Sequence, residues 1–163
     1  MDRANLPQIR AALEDESLRD LAETFGAPVI VNASMRDGSL RACAAANGIP
    51  VMVYEAGEAL RFDELSIRAG IRGVLQVMRK LGMLPPARKQ RTIRTMTASS
   101  TTWARAVSSG IVTYKVELGS RVRENDRLAL MGDALGNSDA VEAFAAVHDM
   151  ALRRTVEPNL LET

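Results

Sequence analysis

Residues 28–54, PVIVNASMRDGSLRACAAANGIPVMVY, decide the fold that the sequence predicts. The two ends of this segment, residues 28–31 and 50–54, are short apolar runs rich in β-branched side chains, which is typical of buried strands. Between them, Ser39 can cap a short Ala-rich helix over Leu40–Ala46. The order strand, helix, strand with short connections predicts a parallel α/β unit.

Two longer helices are predicted on either side of this unit. Within residues 16–26 the apolar residues recur at helical spacing, and Gly26 supplies a left-handed stop. Residues 63–82 make the strongest helix prediction, with Asp63 as the N-cap. This helix carries a long apolar stripe, the pattern of an amphipathic helix. The stripe consists of Ile67, Ile71, Val74, Leu75, Met78 and Leu81.

The character of the sequence changes after two prolines, at residues 85 and 86, and a short basic stretch that looks like a linker. Residues 110–116 alternate like a strand, and residues 122–130 give another strand, broken at 124–126. Residues 140–154 fit either a strand or a short helix. The fold class predicted is therefore α/β, with a partial parallel sheet and helices over residues 1–86. A small, mostly-β, barrel-sandwich-like domain follows over residues 87–163.

Composition excludes several classes of function. The chain has 163 residues and a formal net charge of +1, which argues against a strongly basic nucleic-acid surface. The basic run at 88–94 lacks interleaved aromatic residues and is expected to be a solvated linker. No apolar stretch approaches the ~20 residues of a membrane span, and no signal peptide is recognisable. We therefore expect a cytoplasmic protein with no membrane or nucleic-acid partner.

Histidine and cysteine are too scarce for an ordinary catalytic zinc site. The sequence has one histidine, His148, and one cysteine, Cys43, whereas such a zinc usually takes about three protein ligands. Cys43 is expected to be a small core residue in its Ala-rich helix, and His148 is given no site role. No metal-binding residue is predicted in this chain.

Residues 38–41 (GSLR) and 48–57 (GIPVMVYEAG) resemble the succinylglutamate desuccinylase/aspartoacylase family. The resemblance continues through 67–75 and 81–84, and more weakly through 110–112 and 118–122. Members of this family are zinc-dependent deacylases with a metallocarboxypeptidase-like α/β domain and a C-terminal β domain. The resemblance therefore implies the same two-part fold here.

The family holds its zinc through a His-x-x-Glu pair and a later His, and all three precede the region represented in this chain. The resemblance thus implies a C-terminal portion without its metal-binding half. Zinc is expected in the complete enzyme, and no cofactor is expected for this chain alone. The resemblance also implies that Glu55 is the general base and that Arg41 binds a substrate carboxylate. From the residues alone, Glu55 could merely face solvent after its strand, and Arg41 could be a surface side chain.

Two functions from different classes follow from these observations. The first is a portion of a zinc-dependent amide hydrolase that acts on N-acyl amino acids or similar amides, inactive until another chain supplies the missing half. The second is a non-catalytic binding or assembly module. A cut sheet would leave an unpaired strand edge and apolar surface, so we also predict a homo-oligomer.

Overall fold

The computed structural model describes residues 5–87, 95–102, 104 and 109–132, and the backbone of the strands at 141–144 and 150–151. The chain divides into two compact units between Thr101 and Thr102. The basic run at 88–94, Trp103 and His148 lie outside the described residues. Within the described part, no helix is long and apolar enough to cross a membrane.

The first unit is a four-stranded sheet with helices. Its elements are β1 (Asn5–Ala11), α1 (Glu16–Phe25), β2 (Val29–Asn32), α2 (Leu40–Ala46), β3 (Val53–Gly57), α3 (Glu64–Lys80) and β4 (Met96–Ala98). The strand order is β3-β1-β2-β4. β2 runs parallel to both β1 and β4, whereas β3 runs antiparallel to β1. The unit is therefore α/β, as predicted, but its sheet is mixed.

The parallel strand-helix-strand unit predicted for residues 28–54 is wrong in its second half. β3 does not pair with β2; it lies antiparallel to β1 at one edge of the sheet. The reason is that β1 already occupies the place beside β2. α2 also fails to act as a crossover helix, because none of its residues is buried.

β1 was not predicted, although it lies at the centre of the sheet. Pro7 argues against a central strand because it cannot donate a hydrogen bond to a neighbour. The structure accommodates Pro7 at an irregularity: the register with β3 shifts between Asn5 and Gln8, and pairing with β2 begins only at Gln8. The missing N–H therefore falls where the ladder is already interrupted.

The local signals for helix ends are confirmed. Asp15 and Asp63 accept backbone N–H bonds at the first turns of α1 and α3, and Ser39 does so for α2. Gly26 ends α1 with φ of 70°, a left-handed conformation that costs glycine little. The caps at Ser39, Asp63 and Gly26 were predicted because they depend only on nearby residues, whereas the Asp15 cap was not predicted.

The core of the first unit lies between the sheet and the helices α1 and α3. Ile9 and Ile30 contribute from the two central strands, and Ala22 and Phe25 from α1. Phe25 also packs against Tyr54 of β3, with ring centroids 5.2 Å apart. α3 contacts α1, β1 and β3, so it lies over the β3 side of the sheet.

The apolar stripe of α3 does not face this core. The buried residues of α3 are the small ones, Ser66, Ala69 and Gly73. Four of the six side chains of the stripe are exposed, namely Ile67, Ile71, Val74 and Leu81, and Leu75 and Met78 are half-buried. Phe25 fills the space above Gly73: a Cβ at that position would lie 2.2 Å from the Phe25 ring. Because small residues let α1 and α3 approach closely, the larger side chains of the stripe point away from the core.

The first unit continues past the boundary expected at residue 86. β4, at Met96–Ala98, pairs with β2 and completes the first sheet, so this unit runs to Thr101. Thr95 reinforces the attachment, since its hydroxyl donates to the carbonyl of Ala27 at 3.0 Å. The proline pair marks the end of α3 rather than the end of the unit.

The second unit consists of short strands in its described part. They are β5 (Ile111–Tyr114), β6 (Arg121–Val122), β7 (Arg127–Gly132), β8 (Val141–Phe144) and β9 (Met150–Ala151). β5, β7 and β8 form an antiparallel sheet, and β6 pairs with β9. Val122 and Leu128 are buried together. The strands predicted over residues 110–116 and 122–130 are therefore found, at 111–114, 121–122 and 127–132, and residues 141–144 and 150–151 are strand rather than helix.

Candidate functional site

Glu55 lies in the middle of β3, directly opposite Gln8 of β1. The amide Nε2 of Gln8 donates to Glu55 Oε2 at 2.8 Å. Gln8 is only 1% exposed, so packing holds its side chain in place. This bond fixes one oxygen of the carboxylate against the centre of the sheet.

Arg10, two residues further along β1, supplies a positive charge to the same oxygen. Its Nη1 lies 3.5 Å from Glu55 Oε2. The side chains of Arg10 and Glu55 are 24% and 34% exposed, so water screens this ion pair and also reaches the carboxylate. Gln8 and Arg10 fall on the same face of β1, because alternate residues of a strand point to the same side.

The sequence predicts that Glu55 lies at the carboxyl end of its strand, where parallel sheets bind ligands. The structure corrects this placement. β3 continues to Gly57 and runs antiparallel to β1, with Gly57 opposite Asn5 at the amino end of that strand. Glu55 therefore lies on the face of the sheet rather than at the carboxyl edge of the parallel strands.

The neighbours of Glu55 along β3 fix the strand to α3. The Tyr54 hydroxyl donates to the carbonyl of Ser66 at 2.7 Å. Burial raises the pKa of Tyr54, and the negative charge of Asp63 raises it further. Gly57 has φ of 68°, and a Cβ there would lie 3.2 Å from the Ser66 hydroxyl, so the turn after β3 depends on a glycine.

Arg41, the predicted carboxylate-binding residue, is held by the chain that follows β2. Its Nη1 donates to the carbonyl of Ala33 at 3.2 Å, and its Nη2 donates to the carbonyl of Ser34 at 3.1 Å. The guanidinium therefore buttresses the loop between β2 and α2. Arg41 is held by the loop after β2, whereas Glu55 is held by the side chains of β1.

A cleft lies at the carboxyl ends of the parallel strands β1, β2 and β4. Leu13, Asn32 and Thr97 are among the residues that line it. Its polar groups bond within the protein: Arg19 donates to the carbonyl of Leu13, and Asn32 donates to Glu14. These bonds stabilise the cleft wall.

Sequence reasoning missed Gln8 and Arg10. The signal was the alternation over residues 8–11, where polar Gln8 and Arg10 interleave with apolar Ile9 and Ala11. Such alternation is typical of a strand with one face on the core. Pro7 and the shortness of the run obscured it, and the pairing of Gln8 with Glu55 depends on contacts 47 residues apart.

The described residues do not fit a zinc site. Within them, no group of three or more histidine, cysteine or acidic side chains is close enough to hold a metal ion. Cys43 is exposed on α2, which corrects the expectation that it is a core residue. Glu55 Oε2 instead accepts from Gln8 and Arg10.

Several solved structures have a fold similar to that of this chain. A succinylglutamate desuccinylase/aspartoacylase from Rhodobacter sphaeroides matches 96% of this chain with a TM-score of 0.76 and 21% identity. The ectoine utilization protein EutE (DoeB) from Ruegeria pomeroyi matches 93% with a TM-score of 0.79 and 17% identity. An aspartoacylase family protein from Mesorhizobium loti matches 96% with a TM-score of 0.66 and 17% identity.

The chain has the fold of the succinylglutamate desuccinylase/aspartoacylase structures. It covers 50% of the Rhodobacter and Ruegeria chains and 57% of the Mesorhizobium chain, so it spans about half the length of the structures that it matches. No family model matches the chain, and no curated protein does. At these identities the likeness to desuccinylase and aspartoacylase structures is one of fold.

Proposed function

We propose that this chain forms the C-terminal portion of a metal-dependent deacylase of the desuccinylase/aspartoacylase type, with Glu55 as its general base. The observation that carries the proposal is the setting of Glu55. Its carboxylate is oriented by a buried amide and a nearby guanidinium, yet remains about one third exposed. A base needs both properties: a fixed direction and access to water.

The chemistry of this chain would be proton transfer. Glu55 takes a proton from a water molecule as the water oxygen attacks the carbonyl carbon of the amide. When the carbon–nitrogen bond breaks, Glu55 returns that proton to the leaving amine nitrogen. Gln8 and Arg10 keep the carboxylate in one orientation throughout, since both donate to Oε2.

Zinc belongs to this proposal only through the resemblance to the complete enzymes. The described part of the chain offers no set of three ligands, and a catalytic zinc needs about that number from protein. The chain alone is therefore proposed to be inactive. Its own contributions would be the base and the group that binds the substrate carboxylate.

The proposed substrate is an N-acyl amino acid whose carboxylate meets Arg41. A guanidinium binds a carboxylate through two parallel hydrogen bonds. The two backbone carbonyls that Arg41 contacts, Ala33 and Ser34, would hold the guanidinium plane in place. Arg41 would then select substrates that carry a free carboxylate.

A fusion protein tests the role of Glu55. The half of the Rhodobacter protein that this chain does not cover would be placed ahead of this chain, and release of carboxylic acid from N-acetylaspartate and N-succinylglutamate would be measured. Glu55→Gln should lower kcat on the order of 10²-fold or more, since general-base catalysis contributes about that factor. The matched control is Glu58→Gln, three residues along, where the carboxylate pairs with Arg61 instead. Equal activity of the two variants would refute the assignment.

A substrate comparison in the same fusion tests Arg41. Arg41→Met should raise KM on the order of tenfold for the free acid, because about 1–3 kcal/mol of charge-assisted bonding is lost. KM for the corresponding C-terminal amide should change little. If both substrates lose equally, Arg41 serves only the loop after β2, and the carboxylate-binding role is wrong.

The alternative, a non-catalytic assembly module, also has a specific observation in its favour. Large apolar side chains of the first unit are exposed in the β3–α3 region, including Leu60, Phe62 and Ile71. Surfaces of this kind mark interaction sites. Association through this surface does not depend on catalysis by Glu55.

A further inference from the structure

The guanidinium of Arg10 is held only loosely by Glu55. Its Nη1 lies 3.5 Å from Glu55 Oε2, whereas N–H···O hydrogen bonds are usually about 2.9 Å long. In the part of the chain that the structure describes, Arg10 has no other hydrogen bond or ion pair. Most of the N–H donors of this guanidinium are therefore left for another acceptor.

The side chains beside Arg10 on the sheet cannot use these donors. Arg10 is paired with Val31 of β2 and with Val53 of β3, and paired residues of neighbouring strands point to the same face. Valine side chains have no hydrogen-bond acceptor. Because Val31 is 3% exposed, Arg10 lies beside buried apolar surface, where a bond to an anion is stronger than in water. Since the Arg10 side chain is 24% exposed, a ligand can reach it.

The reaction proposed for Glu55 would produce an anion close to this guanidinium. When the water oxygen attacks the amide carbonyl carbon, the electron pair of the C=O bond moves to the carbonyl oxygen, which becomes an oxyanion. The attacking oxygen and the oxyanion are bonded to the same carbon, so they lie closer together than two atoms in van der Waals contact. A group that binds the oxyanion must therefore lie beside the base, and Arg10 is the cation that contacts Glu55.

We propose that Arg10 is a second catalytic residue of this site and that its guanidinium donates hydrogen bonds to the oxyanion of the tetrahedral intermediate. This inference rests on the function proposed for Glu55. Donors that already face the position of a developing charge stabilise the transition state more than the ground state. Arg10 is suited to this task because its backbone belongs to β1, which lies inside the sheet between β3 and β2.

The proton and electron pairs can be followed through both steps. As the water oxygen bonds to the carbon, Glu55 takes one proton from the water, and Arg10 donates hydrogen bonds to the oxygen that gains the electron pair. The pair then returns to form the C=O bond as the C–N bond breaks, and the amine nitrogen takes the proton from Glu55. One amide and one water give one carboxylic acid and one amine, and Arg10 stays protonated throughout, as a guanidinium does.

Gln8 differs from Arg10 in a way that separates two roles. It donates to the same carboxylate oxygen at 2.8 Å, but it is 1% exposed, so a substrate cannot reach its amide. Gln8 is therefore a positioning residue, which orients Glu55 and does not touch the oxyanion. A variant of Gln8 should disturb the base alone, whereas a variant of Arg10 should also disturb binding of the oxyanion.

An analogue of the tetrahedral intermediate tests the inference in the fusion protein that carries the Rhodobacter half. The methylphosphonamide of aspartate has a tetrahedral phosphorus with charged oxygen atoms at the position of the carbonyl carbon of N-acetylaspartate. Arg10→Met should weaken its binding on the order of 10²-fold and lower kcat for N-acetylaspartate by a similar factor, since one oxyanion donor contributes about that much. KM should change little, because the planar amide carries no such charge. Isothermal titration calorimetry measures the binding.

Three further variants serve as controls. Gln8→Met should lower kcat but change the affinity for the analogue far less, because binding the analogue involves no proton transfer. Arg61→Met removes a positive charge that pairs with Glu58, and it should alter neither quantity. Arg10→Lys keeps the charge without the planar fork of donors, so it should recover only part of the lost affinity. Circular dichroism must show the same fold in all variants.

The outcomes separate this inference from the proposed function. Equal affinity of the unaltered fusion and of Arg10→Met for the analogue would overturn the inference, as would an unaltered fusion that does not bind the analogue. A lower kcat at unchanged affinity would show that Arg10 only positions Glu55. Full activity of Glu55→Gln would instead contradict the proposed function. Because the analogue is bound and not hydrolysed, its affinities can be compared even where turnover is slow.

Discussion

Glu55 receives two hydrogen bonds of different strength from one neighbouring strand. Gln8 is buried and donates at 2.8 Å, whereas Arg10 is partly exposed and lies at 3.5 Å. A short bond from a buried donor to a charged acceptor stabilises more than a long, screened ion pair. Of these two donors, Gln8 therefore contributes more to the fixed orientation of the carboxylate.

The first prediction compares these two donors in the isolated chain. Gln8→Met should lower the free energy of unfolding by about 1–2 kcal/mol, because the buried donor is lost. Arg10→Met should cost no more than about 0.5 kcal/mol, since its ion pair is solvent-screened. Urea unfolding monitored by circular dichroism measures both. A larger loss at Arg10 than at Gln8 would contradict this ranking.

Gly73 sets the distance between α1 and α3. In an ordinary helix, glycine to alanine stabilises by about 1 kcal/mol. Here the new methyl group would lie 2.2 Å from the ring of Phe25. Phe25 is buried and packs against Tyr54, so its ring has little room to move.

The second prediction is that Gly73→Ala lowers the melting temperature instead of raising it. Adding Phe25→Leu should recover part of the loss. The double variant should then be more stable than the sum of the two single-variant changes predicts. Differential scanning calorimetry of the four proteins completes the cycle. A higher melting temperature for Gly73→Ala alone would mean that the two helices are not in close contact.

The N-cap of α3 makes the stability of the protein depend on pH. The hydrogen bond from the Ser66 side chain is the main cause that holds the pKa of Asp63 below its ordinary value. A lowered pKa in the folded state means that the ionised form contributes stability above the unfolded pKa, about 3.9. That contribution is lost as pH falls through the folded pKa.

The third prediction uses Asp63→Asn, which keeps a capping oxygen but has no carboxyl group to titrate. The difference in urea midpoint between the original chain and this variant should be larger at about pH 6 than at about pH 2.5. The titration of Asp15, which caps α1 in the same way, is common to both proteins and cancels. A difference that does not change with pH would show that the Asp63 carboxylate has no special role.

Helices and their caps could be predicted because their causes lie within a few residues. Ser39 and Asp63 cap helices through their own side chains, and Gly26 ends α1 through its own backbone. The second-unit strands at 111–114 and 127–132 likewise follow from local alternation and turns. These elements could be predicted without knowing which other elements pack against them.

The direction of β3, the position of β1 and the outward face of α3 could not be predicted in this way. Each depends on what packs against the element: β1 beside β2, and Phe25 above Gly73. The same limit applies to the site. The family resemblance singled out Glu55, whose role stays a prediction, but its donors Gln8 and Arg10 lie in a strand more than 40 residues away.

At the scale of the whole molecule, the fold covers about half of each solved structure that it matches. The first unit carries an oriented carboxylate, and no three-ligand metal cluster occurs among its described residues. We therefore propose that this chain supplies the base of a deacylase and that the metal ligands lie outside its described residues. The zinc content of the isolated chain, compared with that of the fusion, tests whether the metal ligands lie outside this chain.

The measurement that tests this division most directly is the zinc content of the isolated chain and of the fusion, by elemental analysis after growth in zinc and desalting. We predict almost no zinc in the isolated chain and about one zinc per molecule in the fusion, where three or so ligands become available. About one zinc retained by the isolated chain, or none in a folded fusion, would contradict it.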